Sequence, residues 1–300
     1  MSSGDTSFDL PAYVAARTRM IQEGLDRFTP PASTPPSTLH AAMRYSLLLP
    51  GKRIRPLLCM ASAEAVGGAA AQVLPTACAL EMIHTFSLIH DDLPAIDDDD
   101  YRRGALTAHK KFGEAMAILA GDALHTLAFA TILRHQSGEP AMLVHVAGLI
   151  ADASGTLGMV GGQVDDIAAE GVAVDAATLR GIHARKTGAL LTASILSGAL
   201  LAGASAQQTA ALSGYGDQVG LAFQIVDDIL DVTGDDATLG KPAGSDVKND
   251  KATYPKVFGL DTSRRLARDA SASAVAALET LGSEAAPLRG FARYIVERNT

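Results

Sequence analysis

Residues 80–104 read LEMIHTFSLIHDDLPAIDDDDYRRG, an apolar stretch that runs directly into a cluster of acids. Before Asp91 the apolar residues recur at three- and four-residue spacing, which is the pattern of a buried helix. Six of the ten residues from 91 to 100 are aspartate, and Arg102 and Arg103 follow at once. A run of acids is most often a solvated loop, but aspartate is the short carboxylate common in hard-cation sites. The stretch therefore predicts a helix that ends at a cation-binding cluster.

A second aspartate cluster, FQIVDDILD, occupies residues 223–231. On a helix, Asp227 and Asp231 project from one face a single turn apart. Like charges at this spacing repel, and the apolar neighbours imply partial burial, which is costly for carboxylates without a partner. The two clusters together predict two walls of a single cavity that holds Mg²⁺, a cation that favours a few carboxylates plus substrate phosphate oxygens.

The composition indicates the fold class. Alanine, the best helix former, accounts for 54 of the 300 residues, and runs of β-branched residues are nearly absent. Apolar spacing predicts about ten or more helices, among them continuous helices over residues 141–168 and 176–202. Because no long linker or repeat divides the chain, we expect an all-α fold, a single large helical bundle that forms one domain over residues 1–300.

Charge and cysteine usage limit the classes of partner and compartment. The net charge of −8 argues against a nucleic-acid partner, since such proteins carry a clustered basic surface. Only Cys59 and Cys78 occur, with no CxxC, and the N-terminus resembles no signal or transit peptide, so a cytoplasmic location is expected. Residues 190–202 are strongly apolar, but small and polar side chains interrupt them, so we expect a buried helix and no membrane span.

In these motifs the chain resembles the all-trans short-chain polyprenyl diphosphate synthases, and within them the bacterial farnesyl diphosphate synthases. The first family motif reads Asp91-Asp92-Leu-Pro-Ala-Ile-Asp97, and the second reads Asp227-Asp228-Ile-Leu-Asp231. Further matches follow in order from about residue 44 to 260, which we expect to be the motif-bearing core of the polyprenyl synthase domain: residues 51–56, 81–84, 102–104, 161–163, 185–188 and 241–251. The resemblance implies an isoprenoid-synthase bundle around a deep central cavity, a homodimer, and head-to-tail condensation of prenyl diphosphates.

The resemblance also implies the roles of particular residues. Mg²⁺, as three ions once substrate is bound, is expected at Asp91, Asp97, Asp227 and Asp231, with Asp92 and Asp228 pointing away. The allylic diphosphate is assigned to Arg102, Lys186, Gln224, Lys241 and Lys251, and isopentenyl diphosphate to Lys52, Arg55, His84 and Arg103. Lys186, Thr187 and Gln224 are the expected catalytic residues beside the developing cation. Because Pro94 and the long spacer prevent Asp91 and Asp97 from sharing one helical face, the loop is expected to fold Asp97 back towards the site.

The expected product is farnesyl diphosphate, with fifteen carbons. Phe86 lies five residues before Asp91 and Ser87 lies four before, so on a helix Phe86 is about 7.5 Å further down the axis. In the family, a bulky aromatic there limits chain growth. The motifs leave a geranyl or geranylgeranyl diphosphate synthase as alternatives. A class I terpene cyclase is disfavoured by the second motif and the absence of tryptophan, and a non-catalytic synthase subunit is disfavoured by two intact acidic motifs.

Overall fold

The computed structural model of the chain describes residues 8–233 and 251–297, and most of that part is helical. In chain order the elements are α1 (Leu10–Phe28), α2 (Ser37–Leu48), α3 (Ile54–Ala65), α4 (Leu74–Asp91), β1 (Tyr101–Arg102), β2 (Ala105–Leu106), α5 (Ala108–Phe112), α6 (Glu114–His135), α7 (Pro140–Ser154), α8 (Met159–Ala168), α9 (Ala176–His183), α10 (Ala189–Leu201), α11 (Ala206–Thr233), α12 (Tyr254–Phe258), α13 (Leu260–Ala277) and α14 (Ala286–Glu297). Short 3₁₀ turns lie at Ala70–Val73 and Ser283–Ala285. The predicted all-α class is confirmed.

Helix α10 lies at the centre of the bundle. It packs on α3, α7 and α11 and also contacts α4, and its side chains from Leu190 to Ala199 are largely buried. The α3 and α10 backbones approach closely at Gly198, where a Cβ atom would lie 1.9 Å from the Cys59 carbonyl oxygen. Because α4 and α11 carry the two aspartate clusters, their shared contact with α10 fixes the clusters relative to each other.

Of two predicted continuous helices, one is interrupted in the structure and the other contains a π turn. The predicted helix over residues 141–168 is wrong, because the chain leaves α7 at Gly155 and starts α8 after Gly158. A Cβ at Gly158 would lie 2.1 Å from the Ala153 carbonyl oxygen, so only glycine permits this break. The predicted helix over residues 176–202 contains a π turn at Ala184–Gly188, a feature often found at functional sites.

A two-stranded hairpin follows the first aspartate cluster, and the sequence pattern did not predict it. Tyr101 pairs with Leu106 and Arg102 with Ala105. Arg103 and Gly104 form the turn with φ of 55° and 76°, the left-handed conformation that a two-residue hairpin of this type requires. Strands of two residues are too short for a period-two signal, since alternation needs at least about four residues.

Three helical segments are long and apolar enough to cross a membrane by length and composition. They are Ala70–Asp91, Glu114–His135 and Pro140–Ala168. The first is largely buried inside the bundle, whereas most of the second and third is not. The expectation that the chain has no membrane span stays a prediction.

Candidate functional site

A cavity of about 880 Å³ lies between the carboxyl-terminal half of α4, helix α8, the π turn and α11. The loop before α3 and the hairpin turn close its cationic side. The residues predicted for the site that line this cavity are Lys52, Arg55, His84, Phe86, Ser87, Asp91, Arg102, Arg103, Lys186, Thr187 and Asp227. Eleven residues from five separate stretches of the chain therefore meet at one cavity, as the motifs predicted.

The other predicted site residues do not line this cavity or lie outside the described residues. Asp97 and Lys251 form an ion pair, with 2.8 Å between the Lys251 ammonium and an Asp97 carboxylate oxygen. Gln224 and Asp231 belong to α11, where Asp231 is buried. Lys241 lies outside the described residues.

The first aspartate cluster begins where α4 ends. Helix α4 stops at Asp91, and the loop returns so that the Asp97 backbone N–H donates to the Asp91 carbonyl oxygen over 2.9 Å. Burial and the nearby Asp97 carboxylate raise the pKa of Asp91, against the opposing effect of Lys186. The Asp97 carboxylate repels that of Asp91, which is a cost that a bound divalent cation offsets.

Asp92 points to a different partner. Its carboxylate is buried and accepts from the Arg102 guanidinium, with N–O distances of 2.5 and 2.6 Å. Burial raises the pKa of Asp92 to about 6, although Arg102 opposes the shift. A second, longer ion pair to Asp99 over 3.4 Å helps orient Arg102, which lines the cavity. The Arg102 side chain is therefore held in place by the first aspartate cluster itself.

The second cluster divides between cavity and interior. Asp227 lines the cavity, whereas Asp228 is buried and accepts from the Tyr254 backbone N–H and the Gln224 amide, each over 2.8 Å. The Gln224 amide oxygen in turn accepts from the Thr187 hydroxyl over 2.6 Å. A hydrogen-bonded chain thus runs from Thr187 at the cavity through Gln224 to Asp228.

Asp166 is a partner of the site that the sequence analysis did not single out. The Lys186 ammonium donates to its carboxylate over 2.6 Å, and the Asp166 side chain is only 9% exposed. Helix α8 lies directly against the π turn, since a Cβ at Gly162 would be 2.2 Å from the Lys186 backbone nitrogen. The signal was present in the sequence, because Asp166 follows the matched glycine Gly162 by one helical turn.

The opposite wall is cationic and holds several buried polar atoms without partners. Among residues 8–233 and 251–297, Arg55 Nε, His84 Nδ1 and Glu81 Oε2 find no hydrogen-bond partner. Burial lowers the pKa of Arg55 to about 10 and, together with the nearby arginines, lowers the pKa of His84. Unpaired buried donors are costly, and a phosphate group could accept from Arg55 and His84, since arginine binds phosphate oxygens well; it could not satisfy the Glu81 oxygen, which is itself an acceptor.

The donor set on the acidic wall fits Mg²⁺, a cation that takes one or two carboxylates per ion and completes its shell with water and phosphate. Within the described residues, the one tight cluster of three possible ligands is a different one: Asp98, Asp100 and His109, whose ligand atoms lie within 4.8 Å of one another. Lys110 already pairs with Asp100 there over 2.6 Å. Of the four predicted ligands, Asp91 and Asp227 face the cavity, from two different walls, whereas Asp97 and Asp231 do not line it.

Comparison with known proteins agrees with this geometry. A family model described as polyprenyl synthetase matches residues 36–280. A dimethylallyltranstransferase from Fischerella ambigua is 48% identical over 98% of this chain and 85% of that protein. A geranylgeranyl diphosphate synthase from Cyanophora paradoxa is 46% identical over 98% of each chain.

Solved structures show the same architecture. An FPP/GFPP synthase from Zymomonas mobilis superposes with a TM-score of 0.87 at 37% identity, over 96% of this chain and 99% of that chain. A geranyltransferase from Helicobacter pylori, complexed with magnesium and isoprenyl diphosphate, superposes with a TM-score of 0.85 at 28% identity, over 99% of this chain and 98% of that chain. With both aspartate clusters at one cavity and a family match over most of its length, the chain belongs to the polyprenyl synthetase family and is a prenyltransferase of the short-chain all-trans type.

Proposed function

We propose that this prenyltransferase is a farnesyl diphosphate synthase, which condenses isopentenyl diphosphate with dimethylallyl and then geranyl diphosphate. The observation that carries the proposal is the position of Phe86. Its ring lines the cavity, and its centroid lies 4.9 Å from the rings of both His90 and His125. Because His125 belongs to α6, the Phe86 ring is held between two helices. A ring held in this way would limit the depth of the cavity, which supports a fifteen-carbon product.

In this proposal the acidic wall binds the departing diphosphate through metal. Asp91, Asp97, Asp227 and Asp231 are the ligands we assign to Mg²⁺, which when bound neutralises the diphosphate so that the allylic C–O bond can ionise. Lys186 and Arg102 place further positive charge at the cavity. An ion pair with Asp166 holds Lys186, and an ion pair with Asp92 holds Arg102. Lys241 and Lys251 are assigned to the same diphosphate by the family resemblance.

The cationic wall receives the second substrate. Lys52, Arg55, His84 and Arg103 are assigned to the diphosphate of isopentenyl diphosphate, supported by the buried unpartnered atoms of Arg55 and His84. Its double bond then attacks the allylic cation, a carbon–carbon bond forms, and a proton leaves the new chain. The hydroxyl dipole of Thr187, oriented by Gln224, lies at the cavity on the side of Lys186 and supports a role in stabilising the cation.

Geranylgeranyl diphosphate, with twenty carbons, is the second candidate product. The names of relatives favour it, including geranylgeranyl pyrophosphate synthases from Catharanthus roseus and Capsicum annuum, each 45% identical to this chain. The bulky Phe86 ring in the cavity favours the shorter product, because an extended chain must pass it to reach the deeper part of α4.

We also propose a homodimer. Helices α6 and α7 contact each other and expose large apolar side chains, among them Leu119 at 53%, Leu133 at 63% and Val144 at 69%. Exposed apolar residues on neighbouring helices are typical of a subunit interface. The residues 190–202, by contrast, fall largely within α10 and are mostly buried in the core. Elution of the wild type at the monomer mass in gel filtration would contradict the proposal.

We also propose that the protein is cytoplasmic, which the two free, buried cysteines support.

The experiment that separates the two products offers farnesyl diphosphate as the allylic substrate. Purified protein, Mg²⁺ and labelled isopentenyl diphosphate are incubated with either geranyl or farnesyl diphosphate. A farnesyl diphosphate synthase consumes geranyl diphosphate and leaves farnesyl diphosphate unextended. Extension of both at similar rates would show a geranylgeranyl diphosphate synthase instead.

A further inference from the structure

A buried carboxylate, Glu81, stands among the arginines of the cationic wall. It lies on α4 one turn before His84, is 1% exposed, and borders the cavity. Its Oε1 atom accepts from Arg53 over 2.7 Å and lies 4.0 Å from Arg103. Among the neighbouring charges, Glu81 does most to raise the pKa of Arg55, against the larger effect of burial. One anion therefore faces three arginines that would otherwise repel one another.

The two terminal nitrogens of the Arg53 guanidinium connect the Glu81 carboxylate to the end of a neighbouring helix. Nη1 donates to Glu81, while Nη2 donates to the carbonyl oxygens of Leu47 and Leu49 over 2.9 and 2.7 Å. These carbonyls lie in the last turn of α2 and at the residue that caps it, where backbone acceptors lack helical partners. Arg53 has φ of 50°, an uncommon conformation for a non-glycine residue. The contacts thus fix the loop that carries Lys52 and leads into α3, whose second residue is Arg55.

Arg103 approaches the same place from the hairpin turn. Its φ of 55° is also left-handed, and its guanidinium lies flat against the loop, since a Cβ at Gly51 would be 2.7 Å from Arg103 Cζ. Glu81 is therefore the carboxylate at which the loop before α3 and the hairpin meet. Strained backbone of this kind persists where the surroundings overdetermine it, and it concentrates at functional sites.

We infer that Glu81 and Arg53 form a positioning pair that presets Arg103, Arg55 and Lys52 for the diphosphate of isopentenyl diphosphate. The inference rests on the proposed function, which assigns those three side chains to that substrate. A buried ion pair contributes little net stability compared with apolar side chains of the same size. The presence of the ion pair at this point is explained by its effect on the neighbouring cationic side chains, which apolar residues could not hold in place.

The test separates positioning from a structural role by comparing the two substrates. Glu81→Gln keeps the shape and one acceptor for Arg53 but removes the charge, and Arg53→Lys removes the forked contact to both partners. Each variant is expected to raise KM for isopentenyl diphosphate about tenfold or more, with KM for geranyl diphosphate within about twofold of the wild type. Glu81→Asp, which keeps the charge, is expected to fall between.

The matched control is a second arginine–glutamate pair, Arg17 and Glu64, which joins α1 to α3. The Arg17 nitrogen and the Glu64 oxygen are 2.5 Å apart, and neither residue lines the cavity. Glu64→Gln is expected to leave both KM values unchanged. A KM for isopentenyl diphosphate within twofold of the wild type in Glu81→Gln and Arg53→Lys would overturn the inference, and so would an equal rise in both KM values.

Calorimetric titration with isopentenyl diphosphate distinguishes failure of this inference from failure of the proposed function. A wild type that binds the compound but gives no farnesyl product removes the farnesyl assignment, and tenfold weaker binding by Glu81→Gln still supports the positioning pair. If Glu81→Gln does not fold, Arg53→Lys decides by the same titration. A wild type that does not bind isopentenyl diphosphate overturns both.

Discussion

Phe86→Ala is expected to lengthen the main product by one five-carbon unit. Without the ring, the next side chain on that face of α4 is Met82, four residues earlier and about 6 Å deeper along the axis. Met82 is fully buried, with its sulfur 3.8 Å from the Thr131 hydroxyl, so it forms a new and rigid floor. One prenyl unit adds four chain bonds of about 1.5 Å, which zigzag to about 5 Å. The added depth therefore suits one further unit and is too small for two.

Chromatography of the products after phosphatase treatment measures the change, with geranylgeraniol expected in place of farnesol. Phe28→Ala is the matched control, because the Phe28 ring also packs against a histidine of α6, His135, with 5.1 Å between centroids, but outside the main cavity. It should leave the product length unchanged. Farnesol as the only product of a folded Phe86→Ala protein would contradict the role of Phe86 as the floor of the cavity, as would longer products from Phe28→Ala.

Three further changes test other parts of the site. Asp227→Asn removes a cavity carboxylate and should lower the steady-state rate at saturating Mg²⁺ by about 100-fold or more, whereas the exposed Asp261→Asn should have no effect. Asp166→Asn releases Lys186 and should raise KM for the allylic diphosphate while leaving KM for isopentenyl diphosphate unchanged; the reverse pattern would contradict this role. Burial lowers the pKa of His183 to about 4, so the fold favours neutral imidazole, and stability is lost as pH falls from about 6.5 to 4, by at most about 3 kcal/mol. In urea unfolding, His183→Gln should lose less stability than the wild type between pH 7 and 4.5, and an equal loss would contradict the assignment.

Much of the fold followed from periodicity. Apolar spacing predicts a helix from about Asp9 to Phe28. The structure has α1 at Leu10–Phe28, because the Asp9 side chain accepts from the Ala12 backbone N–H over 2.9 Å and caps the helix. The breaks at Gly155 and Gly158 were missed, since glycine inside an apolar pattern is compatible with a helix until close backbone contacts require otherwise.

The sequence predicted the residues that face the cavity, but it did not predict the residues that pair with them. Asp227 was placed by its spacing from Asp231, a local property of one helix. The pair between Arg53 and Glu81 joins residues 28 positions apart, and that between Lys186 and Asp166 joins residues 20 apart. Such pairs depend on how helices pack, which periodicity along one segment does not encode.

The most direct test of the proposed activity is product sizing with the unmodified enzyme. Purified wild-type protein is incubated with dimethylallyl diphosphate, excess isopentenyl diphosphate and Mg²⁺, and the products are separated by chain length. For a farnesyl diphosphate synthase we expect magnesium-dependent release of pyrophosphate and accumulation of the fifteen-carbon product. Accumulation of the twenty-carbon product would contradict the limit assigned to Phe86, and a lack of pyrophosphate release would contradict the enzymatic function itself.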